Sequence, residues 1–138
     1  MTSIRHLGLV LVVFAIGCDR GPPVVRVEGK VLLDGQPLAA ADVGFSPVGS
    51  GDVLAAGGRT RDDGTFVLSS RGARLGAGAL QGDYIVTVRK IKDPPEGDAY
   101  SGIIEYIVPP RFGDTEQSPL RATVVSGRNI FEFAVESK

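Results

Sequence analysis

The strongest constraint on the fold is a two-residue hydrophobic period that recurs along the chain with no helical period beside it. Tyr84-Ile85-Val86-Thr87-Val88-Arg89-Lys90 is its clearest instance. Successive side chains of a strand point to opposite faces, so Tyr84, Val86 and Val88 are expected to point inward. Val25, Val27, Val31 and Leu33 form a second such face, with Gly29 among them and Arg26, Glu28 and Lys30 opposite. Ala41, Val43 and Phe45 alternate with Asp42, Gly44 and Ser46, and Pro47 ends that run. Phe66 and Leu68 share a face within 65–70, and Phe131, Phe133 and Val135 share one at the end of the chain. Weaker strands are expected over 53–60 and 120–125.

Turn chemistry separates these runs. Asp34-Gly35, Asp62-Asp63-Gly64 and Ser126-Gly127-Arg128-Asn129 are hairpin or tight-turn signals, because Gly and Asp tolerate positive φ. The glycine-rich stretch 71–82 reads as a flexible connection. A long loop begins at residue 92, with Ile103 and Ile104 as a further short strand. Val108-Pro109-Pro110-Arg111-Phe112 reads as extended, since proline disfavours the helical region for its predecessor. Seven or so short strands with turns between them describe an all-β sandwich.

The N-terminus has a different character. Arg5 and His6 precede an apolar run from Leu7 to Ile16, and Gly17 leads into Cys18, the only cysteine. A basic flank, a short apolar core and a small residue before the cut make a secretory signal. Leu7 to Gly17 is eleven residues, too short for the ~20 that a membrane-spanning helix needs. A lone cysteine at this place resembles a bacterial lipobox, with Ala15 where leucine is usual. The resemblance implies that residues 1–17 are removed and that Cys18 carries lipid such as palmitate. It also implies an exported chain anchored on the periplasmic or cell-surface side of a membrane. Residues 18–24, with Gly21-Pro22-Pro23, then form a tether, and 25–138 the folded domain.

Composition narrows the chemistry. Beyond the signal, 121 residues suffice for one domain with a single core. Fourteen basic residues face sixteen acidic ones there, a net charge of −2 with no basic cluster, so nucleic acid is not an expected partner. His6 is the only histidine and leaves with the signal. That removes the commonest neutral-pH acid–base group and the Ser-His-Asp and Cys-His arrangements. One cysteine allows no internal disulfide, and zinc sites are built mostly from Cys and His. No cofactor and no catalytic residue are expected.

Val27-Glu28-Gly29-Lys30-Val31 followed by Asp34-Gly35-Gln36-Pro37-Leu38 resembles the opening of carboxypeptidase regulatory-like domains. Arg59-Thr60-Arg61-Asp62-Asp63-Gly64-Thr65-Phe66 resembles their Asp-Gly hairpin, with Arg61 where an acidic residue is usual. Gly82-Asp83-Tyr84-Ile85-Val86-Thr87-Val88 resembles a later strand, and 126–133 the final turn and strand. The likeness spans about residues 25–136, and with the lipobox it is similar to small planctomycete lipoproteins. It implies a transthyretin-like Greek-key sandwich, here seven-stranded, and little about activity. Such domains serve as folding or interaction modules beside other domains, and with no catalytic residue expected the domain reads as a non-catalytic interaction or structural module. Transthyretin-like hydroxyisourate hydrolases use histidines that this domain lacks, and their C-terminal Tyr-Arg-Gly-Ser motif is absent as well. Tyr84 is expected in the core or at a corner, its hydroxyl bonded back to the main chain.

Three constellations carry alternative readings. Asp52, Asp62 and Asp63 could hold calcium, although Asp-Gly at a tight turn needs no metal. Glu96, Asp98 and Glu105 could supply paired carboxylates, which would require a cleft. Tyr100, Tyr106 and Phe112 lie in the loop 92–118, where aromatics either bind a ligand or close the end of the sandwich. Arg71 and Arg74 read as surface charges. The expected function is an envelope lipoprotein that binds an envelope protein or glycan without turnover, through that loop or a free strand edge. A small carbohydrate-binding module is the alternative, favoured by exposed aromatics; a degraded enzyme domain would be marked by converging carboxylates.

Cys18 carries the anchoring reading. Cys18→Ser should abolish palmitate labelling and detergent partitioning and leave the signal uncut. Continued labelling of the variant would place the anchor elsewhere.

Overall fold

A computed structural model describes residues 23–49, 55–93 and 102–138. Cys18, the signal and most of the tether lie outside them, as do Asp52, Glu96, Asp98 and Tyr100. The described residues are all-β, with two sheets in a sandwich-like arrangement and one 3-10 turn.

Nine strands occur among the described residues: β1 Val27–Leu33, β2 Gln36–Pro37, β3 Asp42–Pro47, β4 Ala56–Arg59, β5 Thr65–Val67, β6 Ser69–Ser70, β7 Gly82–Arg89, β8 Arg121–Val124 and β9 Asn129–Val135. One sheet holds β1 with β2 and β5 antiparallel on successive stretches and β9 parallel along all seven residues. The other has the order β6-β4-β3-β7-β8, antiparallel throughout.

The count exceeds seven for two local reasons. Asp34 and Gly35 both take positive φ, 49° and 82°, so the chain reverses tightly enough to pair Leu33 with Gln36 and create β2. The run 65–70 divides at Leu68: β5 pairs with β1 in one sheet, and β6 pairs with β4 in the other. Leu68 bridges the change, its N–H donating to Val27 C=O at 3.0 Å and its C=O accepting from Gly78 N–H at 2.9 Å. Its side chain is fully buried at the corner.

The alternation maps onto the core as expected. Val27, Val31, Ala41, Val43, Phe45, Phe66, Leu68, Tyr84, Val86, Val88, Phe133 and Val135 are all buried, and Phe131 packs against them half-buried. Phe45 lies at the centre. Its ring centroid is 5.6 Å from Tyr84 in its own sheet, and 6.5, 5.9 and 6.0 Å from Phe66, Phe131 and Phe133 in the facing sheet. Gly29 sits between Phe66 and Phe131 in register on β1. A Cβ there would lie 2.6 Å from Phe66 Cε1 and 2.8 Å from the Phe131 carbonyl, so the Phe66 ring occupies the space a side chain would take. The Tyr84 hydroxyl donates to Leu80 C=O at 2.7 Å, the main-chain bond anticipated for it, and burial raises the phenol above its usual value.

Two local expectations are corrected. The 108–112 segment is not extended throughout: Pro109 is (ψ 140°), but Pro110–Gly113 forms a 3-10 turn. The rule on residues preceding proline constrains Val108 and Pro109, whereas Pro110, with its fixed φ, is well suited to begin a helical turn. Ile103 and Ile104 form no strand; the pairing partner of this region is Tyr106, bridged to Ile91.

Phe45→Ala should lower the unfolding free energy by about 3–5 kcal/mol in urea titrations, because a large buried ring is lost and both sheets line the cavity. Gly29→Ala should cost about 1–3 kcal/mol through overpacking against Phe66. A loss below 1 kcal/mol for Phe45→Ala would show that the two sheets do not depend on this contact.

Candidate functional site

The outward positions of β3, β4 and β7 build a polar surface on the five-stranded sheet. Asp42 stands in register between Arg59 on β4 and Arg89 on β7. The next outward row is Gly57, Gly44 and Thr87. Arg59 Nη1 donates to Asp42 Oδ1 at 2.9 Å, with both side chains about two-thirds exposed. Such a pair adds little stability, on the order of 0–1 kcal/mol, and keeps its remaining donors and acceptors available.

The chain from Ile104 to Thr115 stands along this surface and closes one side of an open groove of about 1180 Å³. Its placement follows from four local contacts. Lys92 N–H donates to Glu105 C=O at 2.9 Å and Ile107 N–H to Lys90 C=O at 3.0 Å, so 105–107 folds back on the end of β7. Lys92 Nζ also bonds Glu105 Oε2 at 2.8 Å, which raises the lysine above its ordinary pKa. Arg89 Nε donates to the Gly113 carbonyl at 3.0 Å. A Cβ on Gly113 would come within 2.7 Å of Arg89 Cγ, so glycine lets the 3-10 turn dock on the arginine stem.

One lip of the groove is apolar. Ile91, Ile104 and Tyr106 line it and are 52%, 59% and 54% exposed. Asp42, Arg59, Thr87 and Arg89 of the sheet line the groove as well, with Gly44 among them. Large apolar groups gathered at a polar rim mark interaction surfaces more often than isolated ones do.

The aromatics of the loop therefore part company. Tyr106 faces the groove, whereas Phe112 is buried in the core at 5% exposure, with the Arg111 guanidinium 4.7 Å from its ring centroid. Phe112 closes the sandwich and offers no contact surface. Glu105 is engaged by Lys92. Asp63 Oδ1 accepts from the Thr65 N–H at 3.0 Å and hydroxyl at 2.6 Å, so the turn itself uses this carboxylate; Gly64 follows at φ 80°. Arg71 and Arg74 are exposed. Among the described residues no group of three His, Cys, Asp or Glu side chains is placed to hold a metal. β9 pairs with β1 alone among the described residues, leaving its other edge open.

Sequence reasoning passed over Asp42, Arg59, Thr87, Arg89 and Gly113. The signal that could have found four of them was their outward phase in strands whose inward phase was legible. Their juxtaposition depends on pairings between segments far apart in the chain. No protein-family model matches the chain, and neither a curated protein nor a solved structure matches it.

The Thr65 hydroxyl, then its N–H, hold the Asp63 carboxyl below the usual carboxylate range. A depressed native pKa contributes stability that is present above about pH 4 and lost as pH falls through the native value. Urea midpoints followed from pH 5 to pH 2 should fall less steeply for Asp63→Asn than for the parent. Parallel curves would show that the charge on Asp63 does not support the turn.

Proposed function

We propose that the chain is a non-catalytic interaction module of a bacterial cell envelope, held to a membrane by lipid on Cys18. On this reading the domain stands on the periplasmic or cell-surface side, tethered by residues 18–24. It is of the carboxypeptidase regulatory-like type, with a transthyretin-like Greek-key order. The motifs at 27–38, 59–66 and 82–88 support that assignment, and the sandwich of two sheets is compatible with it.

The observation that carries the binding reading is the groove: an apolar lip of Ile91, Ile104 and Tyr106 against the polar row Arg59, Asp42 and Arg89. Loops displayed on rigid sheets are where binding surfaces concentrate. The lip is held by main-chain bonds to Lys90 and Lys92, so less conformational freedom is lost on binding.

A photoreactive amino acid at position 104 of the full chain, irradiated in native envelopes, should give defined adducts to protein or glycan. The same probe at Leu75, 95% exposed in the glycine-rich connection, should not. Tyr106→Ala should reduce the 104 adducts at least fivefold. Equal adducts from both positions, or no effect of Tyr106→Ala, would remove the groove as the interface.

A further inference from the structure

We infer that the occupant of this groove is a neutral oligosaccharide; the inference rests on the reading of the groove as a binding site and names its ligand class. Charge balance is the first argument. Among the described residues, Arg59 and Arg89 line the groove together with Asp42, Asp93 and Asp114, while the Lys90 ammonium is bonded to the Ala39 carbonyl, so cations do not outnumber carboxylates there. A polyanion would meet at least as many carboxylates as cations, and steering by net positive charge is missing. A neutral polyhydroxylated ligand loses nothing by that balance and finds donors and acceptors side by side.

The polar groups have the matching arrangement. The Asp42–Arg59 pair is exposed and linked by one bond, Arg59 Nη1 to Asp42 Oδ1 at 2.9 Å. Among the described residues no further bond engages the pair, so Asp42 Oδ2 is an acceptor and other guanidinium N–H groups are donors beside it. Vicinal hydroxyls each donate and accept, so neighbouring hydroxyls can engage both partners at once. The Thr87 side chain, one row on, covers the floor at Gly44, its hydroxyl 2.6 Å from where a Cβ of that glycine would stand, and adds a polar group beside the pair.

Tyr106 supplies the second element. Sugar rings carry faces of C–H groups that pack on aromatic faces, and a half-exposed tyrosine at a groove lip offers such a platform. Ile91, bridged to it, extends the apolar strip. The groove, at about 1180 Å³, exceeds the ~300–1,000 Å³ of ordinary small-ligand clefts, so it accommodates several linked rings.

An extended peptide fits less well. Peptides add to sheets at edges, where main-chain groups are free. The groove lies over β3, which is paired by β4 on one side and β7 on the other. A peptide laid across that face would find few partners for its own N–H and C=O groups.

The test is a titration of the isotope-labelled full chain in a detergent without a sugar headgroup, followed by amide resonances. The probes are maltohexaose, cellohexaose and chitohexaose, with hexagalacturonate as the charged comparison. At least one neutral probe should shift the Gly44, Thr87 and Tyr106 amides saturably, and hexagalacturonate should bind at least tenfold more weakly. Tyr106→Ala should weaken the best probe at least tenfold, Tyr106→Phe less than threefold, and Arg59→Gln at least fivefold. Silence of all three neutral probes, or equal binding of hexagalacturonate, overturns the ligand class. If the probes are silent while position 104 still gives Tyr106-dependent protein adducts, the occupant is a protein and the groove stands. If those adducts are absent as well, both readings fall.

Discussion

Phe45 is the contact on which the two-sheet arrangement depends. It rises from the central strand of the five-stranded sheet and reaches Phe66, Phe131 and Phe133 of the facing sheet, all within 6.5 Å between ring centroids. Tilted and edge-on pairs of this kind add about 0.5–1.5 kcal/mol each beyond their buried area. The facing sheet has to make room for them. Gly29 does so on β1, where Phe66 and Phe131 flank it in register and the Phe66 ring fills the missing side chain's place. With no disulfide available to a chain of one cysteine, this aromatic centre and the ladders around it hold the sheets together.

The core and the groove share the same strands in opposite phase. Val43, Phe45, Val86 and Val88 are buried, while Asp42, Gly44, Thr87 and Arg89 face outward between them. A register slip of one residue would exchange the two sets. The burial of Phe45 therefore also fixes the positions of Asp42 and Arg89. The 3-10 turn joins them at a second point: Phe112 enters the core while Gly113 accepts from Arg89, so a single four-residue turn ties the lip of the groove to the interior. Loss of packing inside would be felt at the groove without any change to a lining residue.

Most of the inward faces were legible in the sequence because period-two alternation is a local signal. The Asp34-Gly35 reversal and the Tyr84 hydroxyl bond were legible for the same reason: one needs two residues with positive φ, the other a carbonyl four residues back. What was not legible is non-local. Nothing in the run 65–70 says that Leu68 leaves one sheet for the other; that follows from Val27 and Gly78 taking its two main-chain groups. Phe112 reads as a loop aromatic like Tyr106, and only the turn begun by Pro110 sends it inward. The polar row Arg59-Asp42-Arg89 unites residues spread over some fifty positions, and it becomes visible once β3 is known to lie between β4 and β7.

The glycines of β4 separate packing demands from an open floor. Gly58 is required by the fold: a Cβ there would stand 2.6 Å from the Val67 carbonyl of the facing sheet. Gly57, its neighbour on the outward side, meets no such limit, since its Cβ would lie 3.4 Å from the Val43 carbonyl, an ordinary contact. Gly44, opposite it on β3, is constrained: a Cβ there would stand 2.6 Å from the Thr87 hydroxyl, so the Thr87 side chain takes that space. Glycine inside a strand costs roughly 0.5–1 kcal/mol relative to alanine, and no positive φ demands it at either outward position. Two adjacent strands thus go without side chains at one level of the sheet, at Gly57 with no packing demand and at Gly44 because Thr87 leans over it. Strand glycines of this kind mark places where another group approaches the backbone closely. At Gly44 that group is the Thr87 side chain, so the floor of the groove between Asp42 and Arg89 is set by the register that pairs Gly44 with Thr87.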